Sequence, residues 1–323
     1  MRLLRASCIE EIPYAQTKVM GIIAVHGGLD TSREKQYLEI LQEAALRGHE
    51  LLSKNRIQAL EAVLRVLEES SKFNCGYGSV LNFDGVVEMD AAIIDGVSSR
   101  FAAVAAIRDV QHPVSVARAL MEKTSSVILA GEGAVKFARK QGFPTANCVS
   151  DEQREAWQKA RKSLARGEKP AQNLYTGLAY YGDTVGCVIW DGAGLAAASS
   201  TGGCLLKTPG RIGDTPSLGG GIFASKTSAV VCTGIGEAFR ETLTAKYVDE
   251  KIAGGSEPQQ AIKSALRRLH EQKKAEGGIL AVDARGRVGS AFNAGQFPVV
   301  VVVDGKLLDN YQPGNLRQEL SVH

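Results

Sequence analysis

The chain lacks any Cys-x-x-Cys pair: its six cysteines, Cys8, Cys75, Cys148, Cys187, Cys204 and Cys232, stand singly along 323 residues. That spacing suggests neither a zinc site nor a dithiol redox motif, so they read as reduced, mostly structural thiols. No run approaches the roughly 18 apolar residues that cross a bilayer. Residues 1 to 18, MRLLRASCIEEIPYAQTK, have no apolar core and carry Glu10 and Glu11, unlike a secretory leader. A charge excess is missing too, with 38 basic residues against 35 acidic ones and a net charge of +3. So balanced a surface gives no field that calls for nucleic acid or membrane as partner, and a small charged substrate is compatible with it. Neither an internal repeat nor a low-complexity tract is visible. These absences predict a soluble cytoplasmic protein.

At 44% hydrophobic and 23% charged residues, the chain can bury one large core or two modest ones. The apolar run from Val19 to Val25 ends at His26-Gly27-Gly28 and predicts a buried strand opening into a tight loop. From Asn55 to Glu69, Ile57, Leu60, Leu64 and Leu67 recur at helical spacing between charged residues, which predicts a one-sided helix. Phe73 to Gly78 breaks it, Val86 to Ile94 resumes as a strand, and helices follow at Pro113 to Lys123 and Glu132 to Lys140. From Asp151 the sequence turns strongly polar, and residues 151–183 are expected to form a mobile linker. Beyond it, Thr184 to Trp190 and Leu195 to Ser200 predict a hairpin about the turn Asp191-Gly192-Ala193-Gly194. Further strands are expected at 228–232, 278–282, 288–292 and 299–303, with helices after Gly236 and from Pro258 to Glu271. Strands and helices come in blocks, which favours a layered α+β sandwich over a doubly wound parallel sheet.

Several short segments stand out. They are Gly182-Asp183-Thr184-Val185-Gly186, Ser200-Thr201-Gly202-Gly203, Pro209-Gly210-Arg211-Ile212-Gly213-Asp214-Thr215-Pro216, Thr233-Gly234-Ile235-Gly236-Glu237 and Gly277-Gly278-Ile279. The first half adds Phe73 to Asn82, Val87-Glu88-Met89-Asp90-Ala91 and Ala119 to Thr124. Each alone has a plain reading: a threonine opening a strand, a local ion pair between Arg211 and Asp214, a turn asparagine at Asn74. Taken together they resemble the plant-type asparaginase and isoaspartyl peptidase family of N-terminal-nucleophile hydrolases, over most of the chain.

A threonine hydroxyl is a poor nucleophile, but a chain-terminal threonine carries its own base, since an α-amine has a pKa near ~8. The resemblance implies self-cleavage between Asp183 and Thr184 by an N-to-O acyl shift, giving an α part (1–183) and a β part (184–323) of one four-layer αββα domain. It implies that Thr201 hydrogen-bonds the nucleophile and that Thr233 and the Gly234 N–H hold the oxyanion. It further implies that Arg211 and Asp214 clamp the substrate's α-carboxylate and α-ammonium, that Gly236 lines the same pocket, and that Asn74 reaches the nucleophile region. The implied substrates are L-asparagine and β-aspartyl dipeptides, the implied assembly a homodimer of αβ units, and no cofactor is required. A structural Na+ or K+ is implied in the loop after the second helix, on backbone carbonyls of Leu67, Glu68, Ser70, Phe73, Cys75 and Tyr77.

The sequence departs from the family pattern at Leu29-Asp30, where the loop after His26 is usually richer in glycine and alanine, at Cys75, at Ile235 and in residues 1 to 18. The altered loop leaves a second reading, an uncut, non-catalytic homologue serving as a binding or scaffold protein. A glycosylasparaginase is a third, disfavoured by the Thr-Gly-Ile-Gly-Glu segment and the missing leader. A dinucleotide loop at Thr233 to Phe239 fails at its third glycine, which is Phe239. Gly219-Gly220-Gly221 is expected to mark a close backbone approach rather than a phosphate cradle. His26 beside Cys75 would make a cysteine hydrolase, against which stand the His-Gly-Gly context and the absence of a basic neighbour to Cys75.

Overall fold

The computed structural model describes residues 21–29, 33–167 and 184–320. The first apolar run forms β1 (Ile22–His26), followed by α1 (Lys35–Leu52) and α2 (Arg56–Glu69). α2 begins where expected because Asn55 caps it, its Oδ1 accepting from the Ile57 and Gln58 amides at 2.8 and 3.1 Å. α1 is not evident from the sequence pattern because its buried face, Leu41, Ala44, Ala45, Gly48 and Leu52, is built largely from small residues.

The part before Thr184 continues through β2 (Met89–Asp95), β3 (Arg100–Ile107), α3 (Pro113–Lys123), β4 (Ile128–Ala130), α4 (Gly131–Lys140) and α5 (Asp151–Ala165). α5 corrects the expected start of the linker. Ser150 Oγ accepts from the Gln153 amide at 3.3 Å, and Asp151 and Glu152 face the positive end of the helix. Its apolar stripe is only Trp157, Ala160 and Leu164, which pack on Val80, Leu205 and Leu206, too narrow a signal to register as periodic. Residues 168–183, the remainder of the expected linker, lie outside the described residues, as do Asp183, Asp30 and residues 1–20.

After Thr184 come β5 (Val185–Trp190), β6 (Leu195–Thr201), β7 (Ile222–Ala224), β8 (Ser228–Gly234), α6 (Gly236–Thr242), α7 (Thr244–Ala253), α8 (Pro258–Lys273), β9 (Gly277–Asp283), β10 (Val288–Phe292), β11 (Val299–Val303), β12 (Lys306–Leu307) and β13 (Gly314–Asn315). The β5–β6 hairpin forms as expected, with Asp191 Oδ1 accepting from the Ala193 and Gly194 amides at 3.0 and 2.7 Å.

The strands make two sheets, one ordered β12-β11-β1-β5-β6-β2-β3-β4 and one ordered β13-β10-β9-β8-β7. In the larger sheet β5 lies antiparallel between β1 and β6, and β6 lies antiparallel against β2. Strands from before and after Thr184 are thus interleaved, and the two parts cannot separate without breaking the β1–β5 and β6–β2 ladders. Period-two alternation sends each strand's neighbours to different cores. Ile23 and Val25 pack with Leu41, Leu60 and Leu64 of the first helices, whereas Ile22 and Ala24 join Val188 and Ala197 in a core shared with Val231, Leu280 and Val282 of the smaller sheet. On that sheet Val230, Cys232, Ile279 and Ala281 pack instead with Phe239, Val248, Ile262 and Leu266 of α6 to α8. The fold is mixed α and β, with helices packed against both sheets.

Candidate active site

Thr184 stands immediately before β5, and the register that pairs Val185 with Ser200 leads it toward Thr201, the last residue of β6. It is buried, and its Oγ1 lies 3.4 Å from Thr215 Oγ1. Thr201 is also buried, but its Oγ1 accepts from the Gly203 amide at 2.9 Å. The hydroxyl seen against Thr184 Oγ1 is that of Thr215, which the sequence reading quoted within a motif but gave no role, while Thr201 keeps its own O–H to donate. Asn74 ties down the turn after Thr201: its Nδ2 donates to Gly203 O at 2.7 Å, its Oδ1 accepts from Val80 N at 2.9 Å, and its carbonyl accepts from Gly202 N at 2.8 Å.

The smaller sheet faces this strand start, since a Cβ at Gly186 would sit 3.0 Å from Val231 of β8. Two residues beyond Val231, Thr233 is fully buried and its Oγ1 has no hydrogen-bond partner. A buried hydroxyl without a partner is uncommon and is open to one. Gly234 has φ +134°, and a Cβ there would meet Glu276 O at 2.4 Å, so only glycine fits. Gly236 opens α6 in contact with the charged pair, where a Cβ would lie 2.9 Å from Asp214 Oδ1 and 3.1 Å from Arg211 Nη2. Phe239, the residue that spoils the dinucleotide pattern, is a core side chain set against Gly277.

Arg211 and Asp214 come together around Gly236 without pairing as a simple local ion pair. The guanidinium forks onto Glu237, Nε to Oε1 and Nη2 to Oε2, both at 2.8 Å. Burial alone would weaken the Arg211 charge, but Glu237 more than offsets this and raises its pKa; the same fork holds Glu237 below its usual value against its own desolvation. Asp214 is buried, one of its carboxylate oxygens, Oδ2, has no hydrogen-bond partner, and desolvation pushes its pKa up to about 7 despite the nearby arginine. A Cβ on Gly221 would lie 2.6 Å from that same oxygen, so the triple glycine does serve a close backbone approach. Beneath the loop sit two more charges that the sequence reading missed, Asp90 and Lys207, both buried. An acidic residue two positions past Gly-Ile was a usable signal for Glu237; nothing local marks Asp90 or Lys207 as partners of a loop so distant in sequence.

His26 and Cys75 do not form a dyad. His26 is buried against Phe297, 5.1 Å between ring centroids, with neither nitrogen hydrogen-bonded, and desolvation lowers its pKa to about 3. Cys75 belongs to the core beneath α2, where burial and then the Glu68 carboxylate raise its pKa, so it presents no thiolate.

Among the described residues no group of three or more His, Cys, Asp or Glu side chains is arranged to hold a metal. An alkali ion is held by backbone oxygens instead, and the turn after α2 is where the resemblance would put them. A Cβ at Gly76 would lie 2.2 Å from Glu68 O, and one at Gly78 would lie 2.1 Å from Phe73 O and 2.9 Å from Ser70 O, so these carbonyls crowd about two glycines. The Leu67, Phe73 and Cys75 carbonyls each accept one amide hydrogen bond in the turn, leaving each a further lone pair.

A buried threonine at a strand start, unpartnered hydroxyl and carboxylate groups, and an arginine forked onto Glu237 make up a polar, largely buried group of side chains. The family model described as Asparaginase matches residues 19–308. The plant-type L-asparaginases of Pyrococcus abyssi and Thermococcus kodakarensis are each 40% identical to this chain, covering 88% of it and 97% of their own length. The isoaspartyl peptidase/L-asparaginase of Xenopus laevis is 35% identical over 88% of this chain and 93% of its own. The chain belongs to the asparaginase family that these proteins share.

Proposed function

We propose that the chain is an autoproteolytically activated amidohydrolase that releases L-aspartate from L-asparagine and from β-aspartyl dipeptides. The observation that carries this reading is Asp214, a buried carboxylate whose Oδ1 lies with the Arg211 guanidinium about Gly236 and whose Oδ2 has no partner, while that guanidinium is itself held by Glu237. Opposite charges side by side but not spent on each other suit the zwitterionic end of an α-amino acid. The Asp214 carboxylate takes the α-ammonium. Two of the five N–H donors of Arg211 go to Glu237, and the other three remain for the α-carboxylate. Fixing that end presents the side-chain carbonyl of the substrate to Thr184 and removes the entropic cost of orienting it.

In this mechanism cleavage of the Asp183–Thr184 bond frees the Thr184 α-amine. The amine takes the Oγ1 proton as Oγ1 attacks the amide carbon, and Thr233 Oγ1 with the Gly234 N–H stabilises the oxyanion, donors worth about 3 kcal/mol each. The intermediate collapses with the amine's proton passing to the leaving nitrogen, which departs as ammonia or as the amino end of a peptide. Water, deprotonated by the same amine, then hydrolyses the Thr184 ester and releases aspartate. Thr215 and Thr201 are the hydroxyls positioned to steady the nucleophile. Na+ or K+ on the carbonyls of Leu67, Glu68, Ser70, Phe73, Cys75 and Tyr77 would brace the turn that carries Asn74. A core shared by the two sheets and helices packed against each support a four-layer αββα sandwich, and the family resemblance supports a homodimer of αβ units.

Intact mass and N-terminal sequencing of the purified chain test this. The expected result is two chains with Thr184 as a new N-terminus, asparagine hydrolysis that follows the extent of cutting, and a single inert chain of 34.4 kDa for Thr184→Ala. A wild-type chain that stays whole and inert would point instead to the binding or scaffold reading, and hydrolysis by an uncut chain would remove the amine from the mechanism.

A further inference from the structure

Resting on the reading of Arg211 and Asp214 as the substrate clamp, we propose that Glu88 and Asp90, from the part of the chain before the cut, are the positioning residues that set this clamp and hence the affinity for the α-amino acid end of the substrate. Neither touches substrate in this scheme; both act through the loop that carries the clamp.

The geometry is specific. Three hydrogen bonds run from this short stretch to the loop: Lys207 Nζ donates to Glu88 O at 2.6 Å, the Gly210 amide to Glu88 Oε2 at 2.9 Å, and the Gly213 amide to Asp90 Oδ2 at 3.3 Å. They bracket Arg211 and end one residue short of Asp214. Gly213 is also the floor beneath the guanidinium, since a Cβ there would lie 3.1 Å from Arg211 Nη1. Moving the Gly213 amide therefore moves both members of the clamp.

Asp90 is held in turn from behind. It is fully buried, its Oδ1 accepts from the Ala106 amide at 2.8 Å, and Ala106 has φ +45°, a conformation unfavourable for a residue with a Cβ. The β2–β3 register slips at this same point, between Met89 and Ala91. The bulge turns an amide toward Asp90 that a regular ladder would have sent elsewhere. On its other side β2 pairs Asp90 with Thr201. One carboxylate thus ties a bulge, the strand end beside the nucleophile and the clamp loop together, with the buried Lys207 ammonium as counter-charge. A carboxylate suits this place because two amides need acceptors; an asparagine offers one oxygen and turns an NH2 group toward the second amide.

The test uses the full-length chain, with Asp90→Asn as first variant and Glu88→Gln as second, each assayed by ammonia release after its mass shows cutting at Thr184. Two substrates are compared, L-asparagine and propanamide, which lacks both the α-carboxylate and the α-ammonium that the clamp holds. For Asp90→Asn the KM for asparagine is expected to rise about tenfold with kcat within about threefold of wild type, while kcat/KM for propanamide, which uses neither half of the clamp, stays within about twofold. Glu88→Gln is expected to shift the ratio of the two kcat/KM values about threefold in the same direction. Equal losses on both substrates, or an unchanged KM for asparagine, overturn the proposal and leave Asp90 a purely structural residue. Should Asp90→Asn fail to fold or to cut, the ratio in Glu88→Gln decides alone, an unchanged ratio overturning the proposal. A wild-type chain that is cut but inert on asparagine overturns the functional reading itself, and that is seen before either variant is made.

Discussion

Asp90 and Asp214 are both carboxylates sealed from water around one loop, and they are provided for in opposite ways. Asp90 has a backbone amide on each oxygen and a buried ammonium nearby. Asp214 has an oxygen facing Gly221 with nothing bonded to it. Burial raises the pKa of both, because desolvation penalises the charged form wherever it occurs. The difference lies in hydrogen bonding. A satisfied buried carboxylate holds backbone in place, whereas one left open costs stability and persists where a ligand completes it. The same contrast separates Thr201, engaged by the Gly203 amide, from Thr233, whose hydroxyl is unpartnered.

The sharpest way to break that contrast is to neutralise the open carboxylate. Asp214→Asn is expected to lower kcat/KM for asparagine by about 100-fold or more, the loss that follows when one partner of a desolvated charge pair is removed. Its Tm at pH 8 is expected to be no lower than wild type. The folded pKa of Asp214 is about 7, above the ordinary aspartate value, so the folded state binds the extra proton and its stability falls as pH rises through that window. At pH 8 the ionised group is a burden that asparagine relieves. A variant that loses activity and Tm together would make Asp214 a scaffold residue like Asp90, and the contrast would collapse.

Thr215 tests a smaller difference, between two hydroxyls near one nucleophile. Thr215→Val keeps the shape and removes the oxygen 3.4 Å from Thr184 Oγ1, and kcat for asparagine is expected to fall about tenfold, with Thr215→Ser restoring most of it. An unchanged kcat would return the role to Thr201.

How much of this was legible beforehand follows from the range of each interaction. The β5–β6 hairpin and α3 were readable because their signals are local: an Asp-Gly turn, and a proline at the first helical position. α1 was not, because alanine and glycine on its buried face carry little hydrophobic contrast, and α5 reads as linker because only three apolar positions hold it to the rest. At the site, short segments pointed to Thr184, Arg211, Asp214 and Thr233 through resemblance to a family. The fork from Arg211 to Glu237, the orphaned oxygen of Asp214 and the reach of Asp90 to Gly213 across 123 residues depend on backbone geometry that no local pattern encodes.

Protonation gives the smallest and most specific test of the two carboxylates. Only Asp214 is expected to titrate against substrate, since Asp90 is locked between two amides and never meets it. The Thr184 α-amine complicates any simple pH profile, because it too loses its basic form as pH falls. A pair of substrates separates the two. Succinamate is asparagine without the α-ammonium, so it needs Thr184 and Arg211 but has no use for the Asp214 charge. The ratio of kcat/KM for asparagine to that for succinamate is therefore free of the amine and reports Asp214 in the free enzyme. With a pKa of about 7 the ionised fraction falls about fivefold between pH 7 and pH 6, and the ratio is expected to fall with it. In Asp90→Asn the midpoint of that fall is expected to move to lower pH while KM rises, since the Asp90 charge is one of those that hold the Asp214 pKa up. A ratio flat from pH 8 to pH 5 would mean that Asp214 does not receive the ammonium.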